Sequence, residues 1–536
     1  MSRCASGTMT HVRSKPPFPG LAILLIALEL TVSCGGGSSG TVSPVDFSLS
    51  VSPANVSLTV GTYSPPVQVL VASSNGFSDP VSVTLNGLPR GAISSPPTPL
   101  MVAGSGAKQV SIFVPPNTQA GTFSVRLTAS SGKSFRTVIL NLTVEPVSGA
   151  AVLQEAAGEV AAGVIEIQGV SAGSFNPTYW QQNTLNWVPD VRAPLFAALA
   201  TGPLQNIYSP WAIEQSGSWR MFYGGDDGSN TPNDRVYSVT TKDFLTFQNR
   251  TLVIDHGVFM HVNNVNVQRL PDGSMHMICT VFPDSMGLNK PAYFSSPDGV
   301  TWNGSPQPYQ AQFGDIVDIL GYSGYQSGDF NGGNVLLRDN DSWVLYFYDN
   351  TNNGQIFRAA GDSPHTARLT GIALQTGHDP NDVKKFVVAG QSWYLMGLMS
   401  NAEEIWYSLS RDGVLFPIEQ TMFLHQSVQD MGIVSLSFVT SGSQLLGVLY
   451  GASTNPETSN NQIYGRWLQK RIVLFDSSGN TYVPLGSYGP DRLRFAVPQS
   501  FTGTMVVYSE DGLTLLATTI VTVRPGQAYQ LIVGGG

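Results

Sequence analysis

A short pattern recurs through the middle of the chain and limits what it can fold into. Thr241-Lys-Asp243-Phe-Leu-Thr-Phe247, Ser296-Pro-Asp298-Gly-Val-Thr-Trp302 and Ser410-Arg-Asp412-Gly-Val-Leu-Phe416 are three copies, and Gly361-Asp362-Ser363 is a reduced fourth. Their aspartates stand at intervals of 55, 64 and 50 residues, the length of one four-stranded propeller blade. A second repeat precedes each copy, as two apolar runs joined by a tight polar turn. Trp211-Ala-Ile-Glu-Gln leads through Ser216-Gly217 to Trp219-Arg-Met-Phe-Tyr223, and Val265-Asn-Val-Gln-Arg-Leu270 through Asp272-Gly273 to Met275–Cys279. Asn334–Leu337 leads to Trp343–Phe347, Lys385–Val388 to Trp393–Met396, and Val434–Phe438 to Leu445–Leu449. Five hairpins predict an all-β chain built around a five-bladed β-propeller over residues 195–480.

Composition agrees. Gly (56) and Pro (35) are abundant and only 12% of the 536 residues are charged, which suits sheets and turns rather than helical bundles. The net charge of −9 provides no basic stripe to neutralise phosphates, so no nucleic-acid partner is expected. Residues 46–147 alternate apolar and polar over Phe47–Val51, Val56–Val60, Val81–Leu85, Val110–Val114, Phe123–Leu127 and Val138–Val144. Six or seven such strands predict an immunoglobulin-like β-sandwich, read as a spacer or as a binding module. Residues 148–194 form an approach segment with a helical expectation over Val152–Ala162, and residues 481–536 a small all-β appendage.

The N-terminus reads as an export signal over residues 1–33. His11, Arg13 and Lys15 precede the apolar run Leu21–Leu28, which is too short to span a bilayer. Thr31-Val-Ser-Cys34 and the Gly/Ser tether through residue 45 then resemble a bacterial lipobox. Acylation of Cys34 would anchor the protein to a membrane; the alternative is a cleaved secretory signal. Two of the three cysteines, Cys4 and Cys34, fall in or beside this segment, so no intrachain disulfide framework is expected and Cys279 reads as a buried small hydrophobe.

Tyr208-Ser-Pro-Trp-Ala-Ile-Glu-Gln-Ser-Gly-Ser-Trp-Arg-Met-Phe-Tyr-Gly-Gly225 resembles the opening blade of the five-bladed glycoside hydrolases, such as families 43, 62 and 32. The Ser-x-Asp-Gly-x-x-Trp turn is similar to turns in those enzymes. The resemblance covers about half the chain and implies a carbohydrate ligand. It also implies an Asp base on blade one, a supporting Asp on blade two and a Glu acid on blade three. The corresponding positions here are Ser209, Asn264/Val265 and Gly333, none a carboxylate. Two readings follow, a glycosidase with a shifted acid set or a propeller that binds glycans or proteins without cutting.

Topology sorts the acids. Asp243, Asp298, Asp362 and Asp412 fall in strand-joining turns and are expected to cap backbone N–H groups. Loops before each first strand and after each second strand share the other face. For a shifted catalytic set the expectation is Asp329 and Asp382 with Glu404 as proton donor, its neighbour Glu403 raising its pKa. Asp226, His261, Asn264 and Asn331 are expected to bind sugar hydroxyls and Trp211 to stack on a sugar ring. Histidine spacing specifies no metal site; an axial Ca²⁺ is compatible with the architecture but no motif specifies one, so no cofactor is expected.

Overall fold

The computed structural model describes residues 45–147, 149–229, 233–283, 287–352, 354–454 and 460–534. The leader, Cys34 and Asp284 lie outside them. The fold is nearly all β.

Five sheets occupy the middle of the chain. Blade one pairs Asn206–Gln215, Ser218–Asp226, Arg235–Thr241 and Gln248–Asp255 in sequence order. Blade two has three strands, His261–Arg269, Met275–Phe282 and Lys290–Ser296. Blade three pairs Asn334–Asp339, Ser342–Tyr348, Gln355–Ser363 and Thr366–Gln375, and blade four Asp379–Val388, Gln391–Met399, Glu404–Ser410 and Glu419–Leu424. Blade five comprises Gly432–Ser441, Gln444–Ser453 and Gln462–Leu468, and takes its outermost strand, Trp187–Pro189, from the approach segment. The five innermost strands contact one another in a closed ring, blade five against blade one included. Borrowing a strand from upstream joins the two ends of the propeller through backbone hydrogen bonds and covers an edge that would otherwise be open.

Blade two departs from the four-stranded expectation. Pro306 and Pro308 follow its turn, and proline withdraws the donor a fourth ladder strand would need. The chain instead lays Tyr309–Gln310 parallel on the outer edge of blade one and Asp318–Leu320 parallel on that of blade three. Three of the four expected turn aspartates act as caps, Asp243 through the Leu245 N–H (3.0 Å), whereas Asp362 lies within the strand Gln355–Ser363. Asp298 Oδ1 accepts from the N–H groups of Val300 (2.8 Å) and Thr301 (2.7 Å), and Asp412 Oδ1 from those of Val414 (2.8 Å) and Leu415 (3.1 Å). Each of these last two turns is also closed by a serine, Ser296 or Ser410, whose Oγ accepts from Gly299 or Gly413. Cys279 is buried and free.

Two sandwiches flank this ring. The first joins a four-stranded sheet, including Asp46–Ser52, Val67–Ser74 and Gly106–Phe113, to a five-stranded one that includes Gly121–Ser131 and Ser134–Glu145. Period-two side chains fill its core: Val67, Val69 and Val71 face Val81, Val83, Leu140 and Leu142, all fully buried. The second sandwich combines Ala151–Ala156 and Val164–Gln168 with the strands after Arg471. The helix expected over Val152–Ala162 is therefore a strand, Ala151–Ala156, antiparallel to Ala528–Val533. Gly158, at φ +150°, ends the regular backbone there, and tertiary pairing overrides the helical propensity of an Ala-rich run. Strand Arg471–Asp476 belongs to this sandwich rather than to blade five. The single α-helix among the described residues is Pro177–Gln182, capped by Asn176. Buried Asp190 ties the closing strand to both units, accepting from Trp467 Nε1 and the Gly489 N–H, each at 2.9 Å.

Candidate functional site

The inner strands of blades one, two, four and five each carry a register shift near their start, at Tyr208/Trp211, Asn263/Asn266, Pro380/Asp382 and Ile433/Ser435. Ser209 and Asn264 adopt left-handed φ values of +48° and +53° within these bulges, which re-aim side chains next to a site. The bulges meet near the propeller axis in a belt of neutral groups. Ser209 N–H donates to Ser435 Oγ (2.8 Å), Ser209 Oγ to Asn264 Oδ1 (3.1 Å), and Asn264 Nδ2 to Asn331 Oδ1 (3.2 Å). Asn381 joins blades by donating to Gly332 O (3.3 Å) and accepting from Leu436 N–H (2.9 Å).

Beside this belt lies a cavity of about 420 Å³ to which every blade contributes. Blade one supplies Asn206, Tyr208, Asp226 and Asp234, and blade two His261, Asn263 and Asn264. Asn331, Gly332 and Asn350 come from blade three, Asp379, Met399 and Asn401 from blade four, and Val434 and Asn461 from blade five.

Two acid groups of different character face this space. On blade one the Asp226 carboxyl adjoins that of Asp234. Burial and then the Asp234 charge push Asp226 up to about 7, so its carboxyl keeps a proton well above the ordinary carboxylate range. Asp226 Oδ1 accepts from Gly228 N–H and Oδ2 from Asn206 Nδ2, both at 2.7 Å. Tyr208 Oη donates to Asp234 and accepts from Asn263 Nδ2 at 3.0 Å. Burial, followed by the charges of Asp234 and Asp226, raises the Tyr208 phenol well above its ordinary range and keeps it a donor. On blade four Asp379 makes no side-chain hydrogen bond among the described residues. Burial, then the nearby Asp329 charge, pushes it up to about 7.

A polar relay runs along the wall between these groups. His261 Nδ1 stands 3.7 Å from Asp234 Oδ2, and its Nε2 lies 2.8 Å from Asn289 Oδ1. Asn289 in turn donates through Nδ2 to Asp329 Oδ1 at 2.8 Å. Burial lowers the His261 pKa and favours the neutral ring.

The expected residues divide. Asp226, His261, Asn264 and Asn331 line the cavity. Asp329 stands behind its wall, held by Asn289 and by Asn350 Nδ2 at 3.2 Å, and reaches the site through the field it exerts on Asp379. Trp211 is 1% exposed and packs in the core, with Lys384 Nζ 4.0 Å above its ring, so it cannot stack on a sugar. Asp382 is fully buried and also withdrawn from the site. Its Oδ2 accepts from Phe438 N–H at 2.7 Å and pairs with Lys384 at 3.2 Å. Glu404 faces Thr421, whose Oγ1 donates to it at 3.2 Å, whereas Glu403 faces His425 at 3.5 Å. The two glutamates thus engage different partners, and neither lines the cavity. Asp349 and Asp430 use their oxygens to hold their own loops.

Asp234 and Asp379 escaped the sequence reading. Asp234 directly precedes the third strand of its blade, at the end of the same loop that begins at Asp226. Asp379 opens an inner strand six residues longer than the apolar run Lys385–Val388 indicates. Among the described residues, no group of three or more His, Cys, Asp or Glu is placed to hold a metal.

No protein-family model matches the sequence, and no curated protein matches it. Solved structures with similar chain paths include a Bacteroides thetaiotaomicron protein classed as a glycosidase, 11% identical, covering 55% of this chain and 99% of that one with a TM-score of 0.40. A thermostable family-43 glycoside hydrolase is 15% identical, covering 54% and 95% with a TM-score of 0.35. An endo-arabinase from Bacteroides thetaiotaomicron is 13% identical, covering 49% and 95% with a TM-score of 0.34.

Proposed function

We propose that the cavity binds a glycan and hydrolyses a glycosidic bond, with Asp379 as proton donor and the Asp226–Asp234 pair as its ionised counterpart. The observation that carries this reading is the placement of carboxyl groups from two non-adjacent blades on one cavity. Glycoside hydrolysis needs an acid to protonate the leaving oxygen and a carboxylate to act as base or nucleophile. Asp379, unpartnered and held protonated up to about 7, has the donor's properties. The blade-one pair sets Asp226 beside Asp234 and is held in place by Asn206, Gly228 and Tyr208. The seven asparagines of the lining offer amide donors and acceptors suited to sugar hydroxyls.

The test is a screen of chromogenic arabinosides, xylosides, fructosides and galactosides. Turnover should appear with at least one sugar and fall about a hundredfold or more in Asp379→Asn and in Asp226→Asn. The neutral belt of Ser209, Asn264 and Asn381 favours a second reading, a carbohydrate-binding propeller without turnover. Tight glycan binding with no cleavage of any substrate would select it.

The N-terminal features support display at the cell envelope. In this proposal Cys34 is acylated and the sandwich over 46–147, of immunoglobulin-like type, acts as a spacer. Incorporation of labelled palmitate, lost in Cys34→Ala, would support the anchor; equal labelling of the variant would refute it.

A further inference from the structure

We propose, resting on the glycan reading above, that the cavity takes the uncharged terminal unit of a glycan chain and rejects both acidic sugars and internal chain segments. The first argument is shape. An internal segment must enter and leave, and so needs a cleft open at two ends. Here Asp226, Asn264, Asn350, Asn401 and Asn461 bring one wall residue from each blade, and the belt through Ser209 and Asn264 lies across the axis beside them. Among the described residues every blade contributes to the wall and the belt lies across the axis, an arrangement that accommodates a chain end.

The second argument is charge. Among the described lining residues there is no lysine or arginine. Cations on nearby strands are engaged elsewhere. Lys290 Nζ donates to the carbonyls of Tyr325 (2.6 Å) and Gly328 (2.9 Å), Lys384 pairs with Asp382, and Arg235 Nε lies 2.7 Å from Asp255. A uronic acid would bring its carboxylate against the Asp226–Asp234 pair with no counter-charge, and an unpaired like charge in a desolvated site is strongly unfavourable. A neutral sugar offers only hydroxyls, which the exposed amides of Asn331 and Asn401 can meet. With Trp211 in the core, selection rests on these polar contacts and on charge exclusion rather than on ring stacking.

The experiment measures binding of the full chain to three matched sets of fluorescent probes, the linear ones labelled at the reducing end and the cyclic ones on a single hydroxyl. These are neutral linear oligosaccharides with a free non-reducing end, the same chains ending in a uronic acid, and cyclic neutral glucans, which have no end. The expected result is binding of at least one neutral linear probe, about tenfold or more tighter than its uronate-ended match, with no binding of cyclic glucans. In the doubly substituted Asp226→Asn/Asp234→Asn protein, which removes both carboxyl groups of the blade-one pair, the neutral-to-acidic preference should shrink several-fold. Equal or tighter binding of uronate-ended chains, or equal binding of cyclic glucans, overturns this inference while leaving a glycan site standing. Binding of no probe in any set overturns the glycan reading itself, and this inference with it.

Discussion

The carboxyl of Asp379 lies so close over Gly332 that a β-carbon at that glycine would sit 2.8 Å from Asp379 Oδ2. Gly332 also has a φ of +88°, a conformation that side chains rarely adopt. The inner strand of blade four can therefore seat its acid against blade three only because residue 332 has no side chain. Gly332→Ala should displace Asp379 and lower turnover nearly as much as Asp379→Asn, while costing about 1–2 kcal/mol of stability from backbone strain. Kinetics paired with thermal melting check this, and full activity in the alanine variant would show that the contact does not position the acid.

Asp379 also predicts a pH-dependent stability. Its folded-state pKa is about 7, above the ordinary carboxylate value near 4. Between those values the folded protein binds a proton that the unfolded chain does not, so this residue's contribution falls as pH rises from about 4 to 7 and is level above. Asp379→Asn should match the wild type near pH 4 and exceed its stability by about 1–3 kcal/mol at pH 8. Urea denaturation at the two pH values measures the difference; an equal effect at both would refute the assignment.

In the proposed reaction the same residue should limit activity on the alkaline side. A donor with a pKa of about 7 loses its proton above neutrality, so kcat/KM should decline about tenfold per pH unit beyond that point. A profile flat from pH 6 to 9 would contradict the account.

The buried pair Asp382–Lys384 is structural, and its substitutions should separate from those of the cavity. Asp382→Asn leaves Lys384 charged beneath blade one without a counter-charge and should cost about 3–5 kcal/mol. The double substitution Asp382→Asn/Lys384→Met should recover much of that loss. At temperatures where each variant remains folded, turnover should change little, whereas a hundredfold loss would return Asp382 to the catalytic set.

The blades were legible in the sequence because the chemistry behind them is local. Asp298 and Asp412 cap the N–H groups two and three residues ahead, and every hairpin carries its own turn residues. The face that gathers Asp226, His261, Asn264 and Asn331 followed from strand direction alone. The acids did not. Asp382 lies three residues from Asp379 and has the same chemistry, but the bulge between Pro380 and Asp382 interrupts the regular register of that strand. Asp382 is sealed beneath the neighbouring blades while Asp379 faces the cavity. Trp211 was read as a platform for sugar because what covers it is distant in the chain: the blade-two side chains of its core cluster, such as Val262 and Val265, and Lys384, 173 residues away. The closing strand Trp187–Pro189 is three residues long and gains its partner only when the ring closes.

The central claim is that Asp379 delivers a proton to a departing sugar oxygen. The most direct measurement compares wild type and Asp379→Asn on two glycosides of one sugar, the first with a dinitrophenolate leaving group that needs no proton, the second with a sugar alkoxide that does. The account predicts a loss of about 10²–10⁴-fold on the alkoxide substrate and little change on the dinitrophenyl one. Equal losses on both, or none on either, would contradict it.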